Sequence, residues 1–147
     1  MVVREVIEVQ RSAAEAFAYV ADFTTAAQWD PGIAESRRVS GDGGVGTRYE
    51  VLADFRGKRL PFTYTVTEVV AGRRIVLDGV GAKATSVDTI EVEPAGAGAR
   101  ITYTADFRLK GVLRAAEPFL GGTFKTLAAK ALAGLEASRG GAARTDA

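Results

Sequence analysis

The stretch Glu117–Leu135, EPFLGGTFKTLAAKALAGL, carries the longest helical pattern in the chain. Leu120, Phe124, Leu127, Ala131 and Leu135 recur at steps of four, three, four and four, the spacing of one helical face. Ala128 and Leu132 widen that stripe, while Lys125, Lys130 and Glu136 fall largely outside it. Gly121 and Gly122 interrupt its start, where a bend costs little and backbones can approach closely. Such a helix needs an apolar surface to cover, and nearly everything before it reads as strand.

Val2 to Gln10 is a strand with Ile7 and Val9 on one face and Glu8 and Gln10 on the other. Ser12 and Glu15 form a capping-box pair ahead of a helix from Ala13 to about Ala21, with Phe17 and Val20 on its apolar face. Thr25 and Gln28 repeat that spacing and predict a second short helix, stopped by Asp30-Pro31-Gly32. Six strands follow: Ile33–Ser40, Thr47–Phe55, Leu60–Val70, Arg74–Asp78, Thr85–Glu93 and Arg100–Leu109. The turns between them fall at Gly41–Gly46, Arg56-Gly57-Lys58, Ala71-Gly72-Arg73, Gly79-Val80-Gly81 and Pro94–Gly98. The pattern is α+β: a strand, two short helices, six strands and a long helix. The strands alternate apolar and polar, as in an antiparallel sheet solvated on one side. One domain over residues 1–137 is expected. Residues 138–147, SRGGAARTDA, lack an apolar anchor and read as a disordered tail.

Composition narrows the chemistry. With 147 residues, 47% of them hydrophobic, the chain is long enough for a real core. A net charge of +1 gives no argument for nucleic acid, and no apolar run reaches the ~20 residues of a membrane span. MVVREVIEVQ has no apolar signal-peptide core, so a cytoplasmic location is expected. The chain has no Cys and no His, which removes thiolates, disulfides, the usual zinc ligands, the usual neutral-pH base and every Ser-His triad. Neither a metal nor a cofactor is expected. Catalysis would fall to carboxylates, Tyr, Lys, Arg or ordered water.

The inward strand faces are rich in aromatics: Tyr49, Phe55, Phe62, Tyr64, Tyr103 and Phe107, joined by Phe124 from the helix. Two readings stand: a solid aromatic core, or the wall of a cavity where sheet and helix diverge. The element order, together with Phe17-Ala-Tyr-Val-Ala-Asp-Phe23, Trp29-Asp30-Pro31-Gly32, Gly44-Val-Gly46 and Thr102-Tyr-Thr-Ala-Asp-Phe-Arg-Leu-Lys-Gly111, resembles the SRPBCC superfamily over residues 2 to 137. That superfamily includes START lipid-transfer domains, polyketide cyclases and aromatases, and plant pollen allergens. The resemblance implies a helix-grip fold, a curved antiparallel sheet of about seven strands around a long C-terminal helix. It also implies a deep apolar pocket between them.

Gly41-Asp-Gly43-Gly-Val-Gly46 matches G-x-G-x-x-G, but a strand follows it, so no helix N-terminus is present to hold a pyrophosphate. It reads as a hairpin loop. Asp88 shares strand parity with Ile90 and Val92. It either points inward as a polar contact or acid, or is turned out by a bulge or paired at the sheet's end. Glu5, with Ile7 and Val9 as parity mates, carries the same ambiguity. Arg56, Lys58 and Arg59, and Arg73 with Arg74, are either a basic rim at a pocket mouth or solvated turns. Trp29 either gates the pocket or anchors the short helix.

The leading expectation is a binder of a small hydrophobic molecule (lipid, polyketide or aromatic) between the sheet and the C-terminal helix. Trp29, Tyr49, Phe62, Tyr64, Tyr103, Phe107 and Phe124 would line the site. The alternative is a cyclase or aromatase, with Asp88, Tyr49, Tyr64 and Tyr103 as the available proton-transfer groups. A protein-interaction module of the same fold is the third possibility, and would show an exposed apolar patch. The sequence leaves the oligomeric state open.

Overall fold

The computed structural model describes residues 2–30, 32–55 and 57–110. The predicted long helix with its Phe124, and the predicted tail, lie outside the described residues. Seven strands are present: β1 (Val2–Val9), β2 (Ile33–Ser40), β3 (Arg48–Phe55), β4 (Lys58–Val70), β5 (Arg74–Gly81), β6 (Ala84–Ala95) and β7 (Gly98–Leu109). Between β1 and β2 lie α1 (Ala13–Ala21), one 3-10 turn (Phe23–Thr25) and α2 (Ala26–Trp29). The strands form one antiparallel sheet in the order β1-β7-β6-β5-β4-β3-β2. Register shifts in β2–β3 and between Val66 and Glu68 in β4–β5 bend it, because each extra residue adds local twist.

The apolar faces read from the alternation are the buried ones. Tyr49, Val51, Phe62, Tyr64, Val66, Leu77, Ile90 and Ile101 form one contiguous core with Phe17, Val20, Phe23 and Trp29 from the helical segment. The opposite face carries ion pairs on exposed side chains, such as Arg37–Glu50 at 2.6 Å and Arg100–Glu93 at 2.8 Å. Pairs of this kind contribute little to stability.

Local signals in the helical segment behave in two ways. Ser12 Oγ accepts from the Glu15 amide at 3.1 Å, as the capping box predicts, and donates to the Glu15 carboxylate at 3.0 Å. Thr25 departs from its predicted cap role. It has helical backbone angles and no side-chain cap bond, and the preceding 3-10 turn is capped by Asp22 instead. The Thr25 hydroxyl lies 2.9 Å from the Tyr19 carbonyl and 2.8 Å from that of Asp22, and it accepts from Trp29 Nε1 at 3.2 Å.

Two loops decide how the strands meet. The glycine-rich Gly41–Gly46 segment joins β2 to β3 as a hairpin loop, with Gly41 at φ 89° against Thr47. A left-handed residue is needed there, and glycine adopts it without strain. The predicted turn at Gly79-Val80-Gly81 is corrected: those residues are the end of β5, pairing with β4 and β6. The glycines stand where aromatic rings from β4 lie across the strand.

Candidate functional site

Three neighbouring rows of residues across the sheet build the site. In one, Tyr49 pairs with Tyr64, Tyr64 with Gly79, Gly79 with Ser86, and Ser86 with Phe107. In the next, Leu77 pairs with Asp88 and Asp88 with Ala105. In the third, Ile75 pairs with Ile90, Ile90 with Tyr103, and Tyr103 with Glu5. Same-face neighbours two residues apart and diagonal neighbours come within reach in such a lattice. Ser86 and Tyr103 therefore flank Asp88.

Asp88 faces inward. It is 2% exposed, and β6 runs in unbroken register with both neighbours, so no bulge turns it out. Ser86 Oγ donates to Asp88 Oδ1 at 2.5 Å, and Tyr103 Oη donates to Oδ2 at 3.0 Å. Burial pushes the carboxyl up to about 6, and these two hydrogen bonds hold it back from rising further.

Asp30, at the end of α2, is the second carboxyl of the site. The Gly32 amide donates to its Oδ1 at 2.7 Å. The residue keeps some exposure, but dense surroundings push its carboxyl up to about 7. The Gly32 bond opposes that rise and the charge of Asp88 adds to it.

Two tyrosine hydroxyls join the carboxyls. Tyr103 is held well above the ordinary tyrosine range, first by burial and then by the charges of Asp88 and Asp30. Tyr64 is raised likewise by burial and by Asp88, with the neighbouring Ser86 hydroxyl working the other way. Both phenols therefore stay neutral donors at physiological pH. The Tyr64 ring reaches this position by crossing β5 at Gly79, where an added Cβ would stand 2.5 Å from ring atoms Cε1 and Cζ. Phe62 crosses at Gly81 in the same way, at 2.8 Å.

The other predicted site residues surround this cluster in different ways. Trp29 is 2% exposed, lies edge-on to Tyr103 with ring centroids 6.2 Å apart, and is tied to Thr25. These contacts tie the short helix to the core. Phe62 lies 6.1 Å from Tyr64. Phe107 is partly buried beside Ser86 in register. Burial raises the Tyr49 hydroxyl, and the Phe23 backbone opposes the rise. Glu5 is partly exposed on the edge strand, across from Tyr103. Lys58, Arg59 and Arg73 are exposed, with Arg59 3.9 Å from Glu35 and Arg74 paired with Glu68 and Glu91, while Arg56 lies outside the described residues. An open cleft of about 830 Å³ beside α2 meets the aromatic wall at Phe62, with Ala27, Ser36, Val51 and Gly81 among its other lining residues.

The sequence alone does not single out Asp30, Ser86 and Phe23. Ser86 shares the strand parity of Asp88, which is the signal that points to it. Asp30 sits in a helix-stopping Asp-Pro-Gly, which hides any second role. Phe23 packs 5.0 Å from Tyr64 and 5.8 Å from Tyr49, a contact that only the chain reversal creates. Among the described residues no group of three or more potential metal ligands occurs, and no helix is long and apolar enough to cross a membrane.

Residues 1–138 match the family described as polyketide cyclase / dehydrase and lipid transport. No curated protein matches the chain. Among solved structures, TTHA0849 from Thermus thermophilus superposes with a TM-score of 0.82 at 19% identity, covering 97% of this chain and 99% of that one. A START superfamily protein from Mycobacterium smegmatis gives 0.74 at 18% identity, with 99% of each chain covered. A conserved protein from Geobacillus kaustophilus gives 0.73 at 16% identity, with 94% of each covered. At these identities the likeness is one of fold.

Proposed function

We propose, from the premise that the chain belongs to the polyketide cyclase / dehydrase and lipid transport family, that it binds one small hydrophobic molecule against the inner face of the sheet. The helix read over residues 117–135 closes the site from the other side, with Phe124 facing the sheet and residues 1–137 forming one domain. Trp29, Phe62, Tyr64, Tyr103 and Phe107 supply the wall on the sheet side, with Tyr49 at its margin.

The observation that carries this reading is the Tyr64–Ser86–Asp88–Tyr103 cluster set within an otherwise apolar wall. Buried polar groups cost stability unless satisfied, and a core built only for packing has no use for them. A ligand site does: apolar burial supplies affinity at about 25 cal/mol per Å², and a few polar groups fix orientation. The test is native mass spectrometry of the full chain, as purified and after incubation with a panel of sterols, fatty alcohols and aromatic polyketides. A 1:1 adduct released on denaturation supports the reading. Absence of any adduct across the panel opposes it.

A cyclase-type activity is the second reading, favoured by two carboxyls that titrate close to neutrality, Asp88 at about 6 and Asp30 at about 7. Such groups can take and return protons at physiological pH. This reading requires Asp88→Asn and Asp30→Asn to abolish turnover of a poly-β-ketone substrate while 1:1 binding persists.

A further inference from the structure

We infer that the tip of the β2–β3 hairpin docks on an anionic lipid bilayer. Val45 enters the boundary between headgroups and acyl chains, and Arg38 and Arg48 meet headgroup phosphates on either side of it. This surface is separate from the ligand site and stands independently of it.

The Gly41–Gly46 loop is held in one shape by its own hydrogen bonds. The Gly43 amide donates to Thr47 Oγ1 at 2.8 Å, and the Gly44 amide to Asp42 Oδ1 at 3.0 Å. The Thr47 amide donates to the Gly44 carbonyl at 3.0 Å. Two further bonds stitch the base of the loop to β4: the Gly46 amide donates to the Val66 carbonyl at 2.8 Å, and the Val66 amide to the Thr47 carbonyl at 2.9 Å. On this frame Val45 stands 67% exposed. Val39, where the β2–β3 register shifts next to the loop, is 41% exposed. A frame already ordered this way loses little freedom on binding, so the apolar side chain it displays is cheap to bury.

Cations flank that tip on both faces. Arg48 opens β3 opposite Ser40, and Arg38 lies opposite Tyr49 on the next rung. Successive strand residues face opposite ways. Tyr49 is buried in the core, so Arg48 projects from the outer face and Arg38 from the inner side. Both arginines are exposed, and neither joins an ion pair among the described residues. Arg37, by contrast, is held by Glu50 at 2.6 Å. Asp42 is the acid of the loop, and its Oδ1 accepts from the Gly44 amide.

A convex tip of this kind fits a fluid bilayer better than a protein. A specific protein interface covers about 800 Å² on each partner, more than one hairpin tip offers. A bilayer needs no matching concavity. An apolar side chain sinks to the headgroup boundary, and guanidinium groups pair with phosphate through two N–H donors. Each cation near an anionic leaflet strengthens binding roughly fivefold.

The experiment is co-sedimentation of the full chain with vesicles of phosphatidylcholine alone and of phosphatidylcholine mixed with phosphatidylserine, at low and at physiological salt. The chain should partition onto the mixed vesicles, and less so as salt rises. Arg38→Gln and Arg48→Gln should each lower that partition roughly fivefold. Val45→Ser should lower it about tenfold. Lys58→Gln removes one charge from the opposite end of β3, where Lys58 pairs with Phe55, and should leave partition unchanged. Circular dichroism checks that each variant is folded. A Lys58→Gln loss equal to the arginine losses would mean attraction by net charge alone and overturns the inference. So does wild-type partition that none of the three hairpin variants alters. Failure to sediment with the mixed vesicles at low salt overturns the bilayer as the partner and leaves the tip to a protein surface. Each of these results leaves the ligand site as it stands.

Discussion

The ring of Tyr64 lies over the backbone of Gly79, so close that a Cβ on residue 79 would stand 2.5 Å from Cε1 and Cζ. This contact decides where the Tyr64 hydroxyl points. With the ring laid across β5, the hydroxyl neighbours Ser86 on the next strand, and Ser86 meets Asp88. Gly79→Ala forces the ring off the strand. Overpacking of this kind costs about 1–3 kcal/mol. A chemical denaturation curve should show that loss, and the NMR signals of Ser86 and Asp88 should move with it. Unchanged stability would mean that Tyr64 has room to turn aside.

Tyr103→Phe tests the other arm of the cluster. The hydroxyl holds the Asp88 carboxyl down, so its removal should raise that carboxyl further above about 6. The buried carboxylate also loses a partner, which costs about 1–3 kcal/mol at about pH 8. The penalty should shrink at about pH 5, where Asp88 is protonated. A carbon-detected NMR titration of the Asp carboxyls, paired with denaturation at both pH values, checks both effects.

Stability should fall as pH rises from about 4 to about 7. Asp88 is raised from 3.8 to about 6, and Asp30 from 3.8 to about 7. The folded chain therefore holds protons that the unfolded chain has released within this window, which gives a negative slope of stability against pH. For Asp88 alone the full titration is worth on the order of 3 kcal/mol. The titratable side chains facing Asp88 among the described residues are Asp30, Tyr64 and Tyr103, and both tyrosines stay neutral throughout. Asp88→Asn should flatten the curve. A wild-type curve that rises over this range would contradict the assignment.

Thr25→Val removes a hydroxyl that sits at the centre of the reversal between α1 and β2. Trp29 Nε1 would lose its acceptor in a site where the ring is 2% exposed. The cost should be about 1–3 kcal/mol in a denaturation curve. Thr25→Ser keeps the hydroxyl and should recover most of that loss.

The period-2 alternation made the strands legible. Tyr103, Ala105 and Phe107 against Thr102, Thr104 and Asp106 can be placed on two faces without any knowledge of the partner strands. Pairing lay beyond that reading. Gly79 and Gly81 look like a turn in one dimension, because their purpose is to clear space for rings that belong to β4. Thr25 looks like a cap for the same reason, since its partners Tyr19 and Trp29 meet only after the chain reverses. Asp88 could be placed on a face by parity, but only the continuous pairing of β6 on both sides fixes that face as the inner one. Asp30 has no periodic signal at all. Its role comes from where α2 ends, which is a tertiary fact.

The most direct test of a ligand site on the inner sheet face is an amide shift map of the isotope-labelled full chain titrated with 2-(1-naphthyl)ethanol. Saturable shifts should cluster at Tyr64, Ser86, Asp88 and Tyr103, with Trp29 Nε1 moving alongside them. Shifts confined to the outer face, around Glu68, Arg74, Glu91 and Arg100, or no saturable shifts, would contradict a ligand site on the inner face.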